Sequence, residues 1–242
     1  MLPELTPPKK PIALRPEHVV DRQTVFRVQQ HGKALSAGKF TVFSLDDKAA
    51  AVALGHNAGA ESAGKAFSSS SAAASSGHKT NQAEQRQTMF TVDGKYMSMT
   101  RKVHDASGLP LFVLRRYSTS RKWTVELPRA ESKKSSQPIA KLKSRYGSLK
   151  DDRNLSFKNA FPAEGAENEQ VVLHIEGQDI WKQRTNIRYG NRVVMTAKRT
   201  DKMSTYLPGI KIEWDVIVTA GMDVSLASII VVLLGQTMYE SY

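Results

Sequence analysis

The last eighth of this 242-residue chain constrains the fold more than any other part. A strand-like alternation, Ile210-Lys-Ile-Glu-Trp-Asp-Val216, is followed by a turn at Gly221 and then by Asp223-Val-Ser-Leu-Ala-Ser-Ile-Ile-Val-Val-Leu-Leu-Gly235. Asp223 is suited to cap the first turn of a helix and Gly235 to end it, so a helix is expected over about 223–235. Its side chains Val224, Leu226, Ile229, Ile230, Val231, Val232, Leu233 and Leu234 point in almost every direction, relieved only by small residues such as Ser225 and Ser228. A helix apolar all round must be enclosed by protein or lipid. Eight large aliphatic side chains represent roughly 12–24 kcal/mol of burial, an upper bound that ignores ordering entropy.

The rest of the chain reads as the enclosure. Lys122-Trp-Thr-Val-Glu-Leu127, Val171-Val-Leu-His-Ile-Glu176 and Ile210 to Val216 alternate with the period of a half-buried strand. Turn signals separate such runs: Asp93-Gly94, Ser107-Gly108-Leu-Pro110, Glu176-Gly177, Gly190-Asn191 and Pro208-Gly209. Ten or more short strands followed by one apolar helix point to a mainly β fold, a closed antiparallel barrel whose interior the helix fills. Enclosure by a bilayer is the weaker reading of the same segment. The apolar run from Ile217 to Leu234 is interrupted by Gly221 and Asp223, and a charge at the centre of a span costs at least about 2.5 kcal/mol.

Two stretches depart from this pattern. Residues 1–21 hold half of the ten prolines and few large apolar groups, and are expected to form a disordered, extended leader with no secretory character. From Lys48 to Gln87 the chain is rich in Ala, Ser and Gly, including Phe67-Ser-Ser-Ser-Ser-Ala-Ala-Ala-Ser-Ser-Gly77. With so little to bury, it is expected to be a disordered insertion between strand-like Phe40-Thr-Val-Phe-Ser-Leu45 and Thr88-Met-Phe-Thr-Val92. One barrel domain is therefore expected over 22–242, interrupted at 48–87.

The chemistry of the chain is sparse. Cysteine is absent, which excludes disulfides, thiolate nucleophiles and Cys-ligated metals. No nucleophile elbow, phosphate-binding glycine loop or zinc-protease motif occurs, and His18, His31, His56, His78, His104 and His174 are scattered without ligand spacing. Neither a metal, a cofactor nor a catalytic residue is expected. The formal net charge of +12 favours polyanionic partners. Two cationic rows recur at every second residue: Lys141, Lys143 and Arg145, then Lys182, Arg184 and Arg188 with Asn186 in the gap. In strands each set shares one face, pointing outward from a barrel, where it could lie along an anionic headgroup surface.

The order of several motifs adds to this reading. Phe40-Thr-Val-Phe, Met89-Phe-Thr-Val-Asp-Gly-Lys95, Val103-His-Asp-Ala-Ser-Gly-Leu-Pro-Leu111 with Phe112-Val-Leu-Arg-Arg116, and Ala220-Gly-Met-Asp-Val-Ser-Leu226 resemble the LURP-one-related family. That family's fold is similar to the tubby C-terminal domain and the phospholipid scramblases. The resemblance spans roughly residues 22–236 without the insertion, and departs from the family at that insertion and at a long Asn159–Gln170 connection. It implies a twelve-stranded barrel around a hydrophobic C-terminal helix. It brings no catalytic residues; some plant members are linked to pathogen defence, and tubby domains bind phosphoinositides. The functional expectation is a monomeric, non-enzymatic barrel in the cytoplasm, at the inner membrane surface or in the nucleus, binding an anionic lipid headgroup or scaffolding protein partners. The alternatives are a nucleic-acid-binding adaptor and, less favoured, a tail-anchored protein.

Overall fold

A computed structural model describes residues 4–31, 38–45, 47–54, 87–94, 99–117, 122–128, 137–144, 152–161, 169–179, 183–200 and 212–237. Twelve strands follow one another: β1 (Thr24–Gln30), β2 (Phe40–Ser44), β3 (Thr88–Val92), β4 (Thr100–Asp105), β5 (Pro110–Tyr117), β6 (Lys122–Glu126), β7 (Ala140–Ser144), β8 (Asp152–Lys158), β9 (Gln170–Gly177), β10 (Arg184–Tyr189), β11 (Arg192–Arg199) and β12 (Glu213–Val218). Each pairs antiparallel with the next, and β1 pairs with β12, so the sheet closes on itself. Closure leaves no strand with an unpaired edge.

The alternation seen in the sequence sets which side chains enter. On β8 and β9 the inward pairs are Phe157 with Val171, Leu155 with Leu173 and Arg153 with Ile175, and all six are buried. The residues between them, Asn154, Ser156, Val172 and His174, face out and are half-buried. The inward ring surrounds helix α2 (Val224–Thr237), in which every residue except Gln236 is buried. The nine residues assigned from sequence to the plug, Asp223, Val224, Leu226, Ile229, Ile230, Val231, Val232, Leu233 and Leu234, are all among them or adjoin them in the core. The hydroxyls of Ser228 and Thr237 donate to the carbonyls four residues earlier, of Val224 at 2.7 Å and Leu233 at 2.6 Å, so neither brings an unmet polar group into the core.

Opposite charges stand at the two ends of α2. At its N-terminus the fully buried Asp223 carboxylate accepts five hydrogen bonds. Oδ1 takes the backbone N–H of Ser225 (2.7 Å) and Leu226 (3.1 Å) and the Ser225 hydroxyl (2.6 Å). Oδ2 takes the backbone N–H groups of Leu14 and Arg15 at 3.0 and 2.9 Å. At the other end Arg101 on β4 and Arg153 on β8 point inward, 1% and 5% exposed. An Arg153 Nη2 donates to the Thr237 carbonyl at 3.4 Å, and Arg101 Nη2 reaches Gln236 Oε1 at 3.5 Å. A negative group at the N-terminus and positive groups at the C-terminus both complement the helix dipole. Burial holds the Arg101 guanidinium below its ordinary range, an effect the Asp93 carboxylate opposes.

The proline-rich segment departs from expectation. Residues 1–21 were expected to be loose; from Thr6 onward the chain is built into the barrel end. Ile12 and Ala13 are 1% and 0% exposed. Ile12 bridges Met222 in parallel and Val19 bridges Asp223 in antiparallel, so the leader straddles the approach to α2. Asn159, the residue after β8, fastens it, its Oδ1 accepting Ala13 N–H at 3.0 Å and its Nδ2 donating to Pro11 O at 2.9 Å. The outer part is tied by Thr6 N–H to Val193 O (2.9 Å) and by Arg192 Nη1 to Pro7 O (2.7 Å). Composition understates such a segment because it is held through its own backbone N–H and C=O groups, and its prolines have little conformational entropy to lose. Gly221, at φ +81°, makes the turn that leads into α2 with Pro8 and Pro11 packed over it.

Two further differences concern the insertion and the helix end. Its first residues form a short helix, α1 (Asp47–Ala53), in keeping with the high helix propensity of alanine; residues 55–86 lie outside the described residues. Gly235 does not terminate α2, which continues to Thr237. It is there for space: a Cβ at that position would lie 3.0 Å from Phe40 Cε1 and 3.1 Å from Trp214 Cη2.

Two substitutions test these assignments. Replacing Gly235 with Ala should lower stability by about 1 kcal/mol or more, measured by chemical denaturation, because overpacking outweighs alanine's better helix propensity; a more stable variant would contradict this. Asp223→Asn keeps an oxygen for the helix cap but turns an NH₂ toward the leader. Amide exchange at Leu14 and Arg15 should quicken, with a loss of about 1–3 kcal/mol from donors left unmet; unchanged exchange at those two amides would show that the carboxylate does not hold the leader.

Candidate functional site

Since α2 fills the barrel, side chains available to a ligand stand on the outer face and the rims. On β7, Ala140 and Leu142 point inward and Lys141 and Lys143 outward, both exposed. On β10, Ile187 is buried while Arg184 and Arg188 lie on the outward parity and are half-buried. Asn186, between those arginines, is covered: its Oδ1 accepts the Thr196 hydroxyl at 3.2 Å. Arg145 and Lys182, which complete the two rows in the sequence, lie outside the described residues.

The registers decide which cations belong together. Lys143 pairs with Asn154, Asn154 with His174, and His174 with Arg188. These four residues form one line across four adjacent strands, its ends three strand spacings, or roughly 14 Å, apart. Arg188 sits at a break in register between β10 and β11, a bulge of the kind that re-aims a side chain, and its Nη2 donates to the Asn191 carbonyl at 3.0 Å. His174 Nδ1 and Asn154 Oδ1 are 2.8 Å apart. With the proton on Nδ1 this contact is a hydrogen bond, and Nε2 is turned away from Asn154.

Arg184 belongs to a different line. It pairs with Lys198, Lys198 with Asp215, and Asp215 with Arg27. Arg27 holds Asp215 at 2.6 Å and Glu213 at 3.6 Å. Three cations and two carboxylates are interspersed there, so most of the positive charge is offset. A second boundary lies on β8 and β9, where Asp152 pairs with Glu176 two residues along from Asn154 and His174. An anion over the Lys143–Arg188 line is thus repelled from one side and open to Lys141 and Ser156, themselves a register pair, on the other.

Of the cations singled out in the sequence, Lys141, Lys143, Arg184 and Arg188 stand on the outward parity of their strands. His174 and Asn154, which share this face with them, were not singled out from the sequence. Outward parity in alternating strands is their only local signal, and their meeting depends on registers between segments far apart in the chain. Among the described residues no three His, Cys, Asp or Glu side chains cluster as a metal site, and no helix is long and apolar enough to cross a membrane.

A closed twelve-strand meander around one buried helix, with a polar, partly cationic exterior, defines a tubby-like barrel protein. The family model described as LURP-one-related matches residues 24–235, and the chain belongs to that family. An X-ray structure of a protein from Arabidopsis thaliana is similar in fold, with a TM-score of 0.50 at 14% identity, covering 93% of this chain and 97% of that one. No curated protein sequence matches the chain.

Proposed function

We propose that the protein is a non-enzymatic barrel that binds the anionic headgroup of a membrane lipid, of the phosphoinositide class, through the outer face of β7 to β10. The observation that carries this is the Lys143–Asn154–His174–Arg188 line, which joins two cations, an oriented imidazole and an amide with no carboxylate between them. A multiply phosphorylated headgroup has anionic oxygens enough to span such a line, and a net charge of +12 draws the protein toward an anionic leaflet. The reading puts the protein at the cytoplasmic surface of a membrane, held by headgroup contacts and not by a span. Because α2 occupies the barrel interior, nothing of the ligand enters it.

Vesicle co-sedimentation tests the proposal. Phosphoinositide-containing vesicles should pull down the protein, phosphatidylcholine vesicles should not, and binding should weaken as salt rises. At about 1 kcal/mol per surface cation, the pair Lys143→Glu and Arg188→Glu should weaken binding by roughly thirtyfold. Arg184→Glu, on the line whose charge is mostly offset, should do far less. Equal binding to neutral vesicles, or an equal loss from Arg184→Glu, would refute the assignment of this face.

A further inference from the structure

A pocket separate from the Lys143–Arg188 line opens where the ends of β6 to β9 meet the leader. It has a volume of about 910 Å³, within the roughly 300–1,000 Å³ of small-molecule sites. Leu14, Leu127, Pro138 and Ile139 give it an apolar wall, and Lys141 and Lys158 stand at its rim. Leu127 is 45% exposed, an apolar side chain left uncovered beside that wall. Lys141 pairs with Ser156, and Lys158 is two residues further along β8, so the two lysines are diagonal neighbours, both exposed. No carboxylate side chain lines the pocket among the described residues.

The leader is one of its walls. Leu14 is in place because its own N–H and that of Arg15 are bound to Asp223, and because Asn159, also at the pocket, holds Ala13. The pocket is therefore assembled by the same contacts that dock the leader on the barrel.

We infer that this pocket takes a single-chain anionic amphiphile, its apolar chain against Leu14, Leu127, Pro138 and Ile139 and its phosphate or carboxylate between Lys141 and Lys158. A small inorganic anion would leave the apolar wall in water. An uncharged chain would leave two neighbouring ammonium groups without a counter-charge among the described residues. A chain with one anionic end answers both halves of the lining. Binding also fastens the leader, because the ligand contacts Leu14 only when the leader is docked, and anything that binds the docked state stabilises it by mass action.

Calorimetric titration of the full chain with lauroyl lysophosphatidate below its micelle concentration tests this, with uncharged monolauroylglycerol and inorganic phosphate as the matched halves. Saturable binding at one site per chain is expected for lysophosphatidate. Monolauroylglycerol should bind at least about tenfold more weakly, and phosphate should not saturate, since neither presents both kinds of contact. The pair Lys141→Glu and Lys158→Glu should weaken lysophosphatidate by roughly thirtyfold, and Leu127→Asp should weaken it without lowering the thermal transition, the three side chains being exposed. Lysophosphatidate should also slow amide exchange at Leu14 and Arg15. Equal affinity for the charged and uncharged chains, indifference to Lys141→Glu with Lys158→Glu, or exchange at Leu14 and Arg15 unchanged at saturation would each overturn the inference. Lys143→Glu with Arg188→Glu should leave this titration as it is, so a failure here and a failure of vesicle binding are separate results.

Discussion

The Asp223 carboxylate ties together two parts of the molecule that are far apart in sequence. Three of its five hydrogen bonds close the first turn of α2, and two hold the leader more than two hundred residues away. A fully buried carboxylate would ordinarily be costly. Here every donor it receives is a short N–H or O–H contact, and the helix N-terminus adds its own positive potential. Arg101 and Arg153 do the converse at the other end of the helix. The apolar surface of α2 drives it into the barrel, but apolar surface is indifferent to direction. The charges fix which way the helix points and how deep it sits.

A barrel filled in this way has consequences for function. The space that other barrels give to a ligand is taken by Ile229, Ile230, Val231 and Val232, all fully buried. The outer strands and the rim where the leader crosses are what remains open to a partner. The leader thus has two physical tasks. It seals the end of the barrel nearest the N-terminus of α2 with Ile12 and Ala13, and it contributes Leu14 to an open pocket beside β7 and β8.

How much of this the sequence discloses depends on the range of the interaction. The plug was legible because eight aliphatic residues in one short run admit few explanations, and the strands because inside and outside alternate within a single segment. The cap at Asp223 could be read from its place before the run. Its second role could not, because the Leu14 and Arg15 groups that it binds are backbone amides with no signature in residue type. Gly235 misleads for a related reason: a glycine after an aliphatic helix has the look of a stop, while the rings of Phe40 and Trp214 that require it come from two distant strands. The cationic rows were legible along each strand and illegible across strands. Lys143 meets Arg188 across two intervening strands, and Arg184, only four residues from Arg188, falls on a line with Asp215 and Arg27 instead.

That division of β10 bears on how an anion would lie. Two arginines on one strand face suggest a site running along the strand, yet the carboxylates on neighbouring strands cut such a site short. Asp215 and Glu213 offset most of the charge of Arg27 and the cations around Arg184, and Asp152 beside Glu176 borders the four-residue line on one flank. What remains uniformly favourable to negative charge runs across the strands, from Arg188 through His174 to Lys143, and bends along β7 and β8 toward Lys141 and Lys158. Its shape is set by where the acids are as much as by where the bases are. A ligand with several anionic oxygens would match the line, and one with a single anionic end and an apolar chain the pocket at its far corner, so the two proposals give neighbouring parts of one face different ligands.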